Sequence, residues 1–222
     1  INENQASVTN VQASDADGDT ILYSLSGGDS SVFLVSDSGV ISMTTLPNYE
    51  SKSSYTFNLT ISDGAFETAA AMNITILDIN DAPFWDAYTS FLESNENTAN
   101  NIIDFSVSDE DGDDIVYSLS GDDASLFNIN NTAGSGTVSF IENPDFENPK
   151  DANTDNIYYF IVSASDGSVS ITTTPIGISI INLNDNAPVI SDLPSNIDVS
   201  NGQTAVVTIT VTDADNDTPT LT

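Results

Sequence analysis

The chain has 222 residues, 34 of them Asp or Glu against two basic residues, Lys52 and Lys150, giving a formal net charge of −32 with no histidine and no cysteine. This balance excludes nucleic acid and anionic membrane as partners, because both are bound through basic patches, and it leaves no disulfide framework. At 39% hydrophobic, with ten Phe and seven Tyr, the chain can still build a core, and no apolar run is long enough for direct membrane insertion.

In chain order, Glu3-Asn4 is followed by Asp15-Ala-Asp17-Gly18-Asp19 and Tyr23-Ser24-Leu25-Ser26-Gly27. Tyr55 to Ser62 alternates apolar and polar residues, which predicts a half-buried strand. Met72 to Leu77 reads the same way, and Asp78-Ile-Asn80-Asp81-Ala82-Pro83 then closes the stretch. The phrase restarts at Glu96-Asn97, Asp109-Glu-Asp111-Gly112-Asp113 and Tyr117-Ser118-Leu119-Ser120-Gly121. Alternating runs at Tyr158 to Ala164 and Ile176 to Leu183 lead to Asn182-Leu-Asn184-Asp185-Asn-Ala-Pro188. A third copy opens with an expected strand at Ala205 to Val211 and Asp213-Ala-Asp215-Asn216-Asp217.

A period of roughly 100 residues is the size of one small all-β domain rather than a solenoid turn. The expected organisation is tandem antiparallel β-sandwiches: repeat 1 over 1–83 with its start truncated, a complete repeat 2 over 84–188, and the beginning of repeat 3 over 189–222. The ends fall inside repeats, so a segment of a longer protein is expected. Tyr23, Leu25, Phe33, Tyr117, Leu119 and Phe127 are expected in the cores. Tyr159 and Ile161 lie on the strand face that is polar in the first copy, and an exposed contact patch or a covering loop explains them equally well.

Acidic residues recur in register at spacing two: Asp15/Asp17, Asp109/Asp111, Asp213/Asp215, Asn48/Glu50, Asp145/Glu147, Asp78/Asn80 and Asn182/Asn184. In extended chain, side chains two apart project to one side. Two carboxylates about 4 Å apart near a surface repel by about 4 kcal/mol, so such clusters call for cations. The oxygen-only donor set suits calcium. An EF-hand is excluded, because the glycine falls at loop position 4 and Ser26 and Ser120 stand where Glu is required.

Glu-Asn near the start, Asp-x-Asp after the second strand, a mid-unit Asp-x-Glu, Ala/Ser-x-Asp-Gly late, as at Ala164-Ser165-Asp166-Gly167, and Asp-x-Asn-Asp-(Asn)-Ala-Pro at the end together resemble the cadherin repeat. The resemblance implies seven-stranded Greek-key β-sandwiches joined end to end through calcium-binding linkers, with about three Ca2+ per complete junction. It implies a first junction built from Glu3, Asn48, Glu50, Asp78, Ile79, Asn80, Asp81 and Ala82 with Asp109, Asp111 and Asp166. It implies a second built from Glu96, Asp145, Glu147, Asn182, Asn184 and Asp185 with Asp213 and Asp215. Asn48 and Asn182 replace carboxylates of the family pattern and should weaken their ions. The first terminal motif lacks the Asn before Ala82, and Asn201-Gly202 stands near the expected third-repeat Glu.

The function expected is a calcium-rigidified extracellular adhesion or spacer module, at a cell surface or secreted, partnered by neighbouring repeats of the same chain and by a homophilic, protein or surface-carbohydrate ligand. The missing cysteines and scarce lysines look more like large secreted bacterial adhesins than animal cadherins. Alternatives are a carbohydrate-binding module, which needs an aromatic platform where Trp85 is the only tryptophan, and a subunit of an extracellular filament or surface layer. A carboxylate-pair hydrolase is disfavoured because no His, Cys or Arg assists. A halophile's acidic surface would scatter its charge rather than repeat it in register.

Overall fold

The structure, a computed structural model, describes residues 1–222 other than 100, 133, 192, 193, 205, 206, 221 and 222. The chain divides into two units, Ile1–Asp81 and Ala82–Thr222. Regular structure among the described residues is β-strand apart from single 3-10 turns at Ser30–Val32 and Ala124–Leu126.

In the first unit β1 (Ser7–Asn10), β2 (Leu22–Ser26), β3 (Phe33–Val35), β4 (Val40–Met43), β5 (Ser54–Ser62) and β6 (Glu67–Thr75) form two antiparallel sheets, ordered β1-β4-β3 and β2-β5-β6. The chain start joins in parallel through the bridge between Asn2 and Leu77. The alternation of β5 has the expected consequence: Phe57 and Leu59 are buried while Thr56 and Asn58 are exposed. They close on Phe33, Ile41 and Met43 of the opposite sheet, with Ile74 and Ile76 completing the core and Tyr23 and Leu25 half-buried against it. Phe33 and Phe57 rings meet at 4.5 Å between centroids. Each such side chain contributes about 1.5–3 kcal/mol on burial.

The second unit holds β7 (Phe84–Ala87), β8 (Phe91–Asn95), β9 (Asn101–Ser108), β10 (Val116–Ser120), β11 (Phe127–Thr132), β12 (Ser135–Phe140), β13 (Ile157–Ser165), β14 (Ser170–Thr172), β15 (Ile176–Ile181), β16 (Val189–Ser191) and β17 (Thr210–Thr212). One sheet runs β11-β12-β9-β7, the other β10-β13-β15-β8 with β14 also on β13. The opening segment is thus shared between sheets, β7 pairing β9 and β8 running parallel to β15. The closing strand is interrupted at Thr173–Pro175, where proline cannot donate to a ladder. Counting β7/β8 and β14/β15 as one interrupted strand each gives the seven-stranded plan.

Tyr158, Phe160, Val162 and Ala164 alternate into the core, where they meet Phe105, Tyr117, Phe127 and Phe140. Trp85 also turns inward, edge-on to Tyr88 and Phe105, so it offers no surface platform. The strand expected over Ala205 to Val211 is a correction: Ala205 and Val206 lie outside the described residues, and the strand is Thr210–Thr212 alone. Its described ladder partners are those of β16, through Val189–Thr212, Ile190–Val211 and Ser191–Thr210.

Candidate metal centre

Each unit buries one glutamate where a surface residue would be anticipated. Glu3 is 0% exposed, and its carboxylate accepts the Tyr49 N–H at 3.0 Å and the Ile79 N–H at 2.9 Å. Glu96 is 1% exposed and accepts the Phe146 N–H at 2.8 Å and the Leu183 N–H at 2.7 Å. The residue after each glutamate is an Asn in the left-handed region, φ 58° at Asn4 and 60° at Asn97, which asparagine tolerates. Their N–H groups donate to Pro47 and Pro144, and their side-chain amides to Asp81 and Asp185. One Glu-Asn pair in each unit therefore ties the unit's start, middle and terminal motif together.

Around these anchors the carboxylates converge. Oxygens of Glu3, Glu50 and Asp81 lie within 4.8 Å of one another, and so do those of Glu96, Glu147 and Asp185. Asp109, Asp111 and Asp113 form a third such group, of which Asp113 was absent from the sequence-derived set. At these separations like charges repel one another, less where water screens them. Oxygen-only donors in irregular clusters fit a hard divalent cation. Unsatisfied acceptors fit as well: Asp109 Oδ2, Glu147 Oε1 and Asn182 Oδ1 are buried without a hydrogen-bond donor among the described residues.

The other expected positions serve local turns or the flanks of these groups. Asn48 Oδ1 accepts the Ser51 N–H at 2.7 Å, and Asn80 donates to the Asp81 carbonyl at 2.6 Å. Asp145 accepts from Asn148 at 3.0 Å, and Asp213 from the N–H of Asp215 at 3.0 Å. Asp166 accepts the N–H groups of Ser168 and Val169, both at 2.6 Å. Asn182 donates to the Asp215 carbonyl at 3.1 Å, and Asn184 donates to Asp217. The first expected set divides between units, with Glu3 to Asp81 in the first and Ala82, Asp109, Asp111 and Asp166 in the second.

Asn186 is the position sequence reading overlooked as a participant, although its signal was the extra residue that the first terminal motif lacks. Its amide nitrogen lies 2.8 Å from Asp185, 2.9 Å from Asp215 and 3.2 Å from Glu147. Its N–H and that of Asp185 both donate to Asp215 Oδ2, at 2.8 and 3.1 Å. The Asn186 amide holds the Asp215 carboxyl below the ordinary range. Burial pushes Glu147 up, with Glu96 and Asp215 adding to the effect. Asp113 is raised by desolvation, then by Asp109 and Asp111.

One feature outside the acidic groups is apolar. Tyr159 is 42% and Phe91 52% exposed, and both rings lie beside Gly177, where an added Cβ would stand 2.9 Å from each.

No family model matches the chain. Among curated proteins it is 29% identical over 199 residues to human Protocadherin-15, covering 84% of the chain and 10% of that protein. It is 30% identical over 224 residues to mouse Cadherin EGF LAG seven-pass G-type receptor 2, covering 94% and 7%. The chain thus spans a tenth or less of these relatives. Among solved structures, the extracellular cadherin domains 3-6 of Protocadherin Gamma B2 align with a TM-score of 0.69 at 21% identity, covering 96% of the chain and 52% of that one. Mouse Cadherin-23 EC22-24 aligns at 0.67 with 23% identity, covering 98% and 74%. No helix among the described residues is long and apolar enough to cross a membrane. The all-β fold is that of cadherin extracellular domains.

Proposed function

We propose that the chain is an extracellular adhesion or spacer module whose successive repeats are stiffened by calcium held at their acidic ends. The observation that carries this reading is the repetition of one construction: a buried glutamate clamping two backbone segments beside a carboxylate group, at Glu3 and again at Glu96. The ions would supply the positive charge that crowded carboxylates otherwise lack. Glu50, Asp81, Glu147, Asp185, Asp109 and Asp111 would hold them, Asp78, Asn80, Asn182 and Asn184 would add oxygens, and Asp213 and Asp215 would close the second site. Repeats divided at 83 and 188, with about three ions per complete junction, complete the proposal. The absence of cysteine and the two lysines favour a large secreted bacterial adhesin as the parent.

Metal that binds only the native, aligned form stabilises it by mass action. Calcium titrated into chelated protein should raise Tm and lengthen the particle in small-angle scattering, whereas sodium at equal ionic strength should do neither. Equal responses to the two salts would return the acidity to a general surface role.

The Phe91 and Tyr159 rings favour carbohydrate as a second reading, because exposed aromatic faces stack on sugar rings. Glycan binding lost in Tyr159→Ala but retained without calcium would support it.

A further inference from the structure

Thr56 and Tyr159 hold the same place in the two units. The Thr56 N–H donates to Asp29 at 2.9 Å and the Tyr159 N–H to Asp123 at 2.7 Å, and across its sheet Thr56 pairs with Asn73 while Tyr159 pairs with Gly177. From the first unit to the second, one position gains a ring and its partner loses its side chain. Phe91 pairs with Gly177 from the other side, and ring atoms of Phe91 and Tyr159 fill the space that a side chain at 177 would need. Gly177 is therefore buried, whereas Asn73 is exposed. Neither ring belongs to the core, which lies on the other face of these strands among Tyr158, Phe160 and Ile178.

The next row of the same face supplies polar groups. Side chains two apart along a strand share a face, so the paired row of Ile157, Ser179 and Glu93 lies beside the row of Tyr159, Gly177 and Phe91. Glu93 is exposed. Asp155 is exposed as well and accepts the Ile157 N–H at 2.9 Å. The turn that carries the exposed Asp122 docks on β13, where the Asp123 N–H donates to the Tyr159 carbonyl at 3.3 Å. No lysine stands on β8, β13 or β15, and of the chain's two, Lys52 is paired with Asp29 in the first unit. Two exposed rings bordered by carboxylates attract an organic cation twice over, through the ring faces and through the charge.

We propose that this face of the second unit binds a polysaccharide that carries free amino groups. The inference rests on the carbohydrate reading of the Phe91 and Tyr159 rings and adds to it the charge of the sugar. The apolar faces of the sugar lie on the two rings, and an ammonium of the polymer meets Glu93 in the adjacent row. Charge selects among polysaccharides. An acidic one brings like charge to a chain of net charge −32, and a neutral one leaves Glu93 without a partner of opposite sign. The rings and Glu93 stand on β8 and β13 of one unit, so the site needs no metal and no neighbouring repeat.

Hexamers of glucosamine, N-acetylglucosamine and galacturonate, with hexalysine as a cation that is no sugar, are titrated calorimetrically into the whole chain in chelator at about 0.15 M salt. The glucosamine hexamer should bind roughly two- to five-fold more tightly than its N-acetyl counterpart, and galacturonate and hexalysine more weakly than either. Tyr159→Thr, which installs the first unit's residue, should weaken both glucosamine sugars and leave Tm in place. Glu93→Gln should erase the preference for the amine and keep N-acetylglucosamine binding, whereas Asp104→Asn, exposed on the opposite sheet, should change neither. Equal affinity for the two glucosamine sugars overturns the proposal and leaves the carbohydrate reading standing, and binding of neither overturns both. Hexalysine bound as tightly as glucosamine, or glucosamine binding unmoved by Tyr159→Thr, also overturns it, in favour of general attraction to an acidic surface.

Discussion

Glu96 accepts the backbone N–H of Leu183 at 2.7 Å across 87 residues of chain, and its second oxygen does the same for Phe146 at 2.8 Å. This buried carboxylate is thus a structural clamp before it is anything else. Glu96→Ala strands two N–H groups away from water and should destabilise the second unit by about 2–5 kcal/mol even in chelator, read from urea unfolding. A loss seen only with calcium present would mean that the residue serves the metal and not the fold.

The Asp109, Asp111 and Asp113 group makes the opposite prediction. Removing one charge relieves repulsion, so Asp109→Asn should raise the chelated protein's Tm by about 1–3 °C while shrinking the rise that calcium produces. Calorimetry in chelator and in calcium checks both signs. A drop in chelator would show that Asp109 supports its loop, where its Oδ1 accepts the Asp113 N–H at 3.2 Å, more than it repels its neighbours.

Glu147 and Asp215 pull in opposite directions with pH. Burial raises Glu147, so its contribution to stability is fully present below the unfolded carboxyl value, about 4.3, and is lost as pH rises through the raised one. Asp215 is lowered by Asn186, so its contribution is present above the ordinary Asp range and is lost as pH falls through the lowered value. In chelator, Glu147→Gln should therefore flatten the fall in urea midpoint towards neutral pH, whereas Asp215→Asn should flatten the fall on the acid side. Superimposable profiles for the two variants would contradict the assignment.

How much of this was legible in the sequence depended on whether the cause was local. Tyr55 to Ser62 and Tyr158 to Ala164 declared themselves because a half-buried strand writes its two faces at period two. The acidic groups declared themselves through repetition. The burial of Glu3 and Glu96 could not be read, because their partners are backbone N–H groups contributed by distant segments. The run at Ala205 to Val211 alternates as well as β5 does, yet of its described residues only Thr210 and Val211 join the ladder, opposite Ser191 and Ile190. Phe91 was passed over because Gly177, beside which its ring and that of Tyr159 lie, is on another strand.

Gly136 sits opposite Phe105 across β12 and β9, and the ring lies over it. An added Cβ would stand 2.3 Å from the ring, which is only 4% exposed and already packed on Tyr117 and Trp85. The ring has nowhere to move, so Gly136→Ala should cost about 1–3 kcal/mol through overpacking. Gly167→Ala, with open space beside it but φ of 97°, separates backbone strain from collision. If Gly136→Ala unfolds at the parent's urea midpoint, the core around Phe105 is looser than its contacts require.

Asp29 and Asp123 hold equivalent places but different partners. Asp29 accepts from Lys52 Nζ at 2.5 Å and from the Thr56 N–H at 2.9 Å, on a partly exposed surface. Asp123 accepts the Ala152 N–H and the Tyr159 N–H, both at 2.7 Å, and is 4% exposed. A backbone amide from the longer loop of the second unit has taken the lysine's position, exchanging a screened ion pair for a sheltered hydrogen bond. Asp123→Ala should therefore cost about 2–4 kcal/mol, insensitive to salt. The effect of Asp29→Ala should be smaller and should fade as salt rises. Urea unfolding at low and high sodium chloride distinguishes them, and a salt-dependent loss at Asp123 would mean that its environment is wetter than its burial indicates.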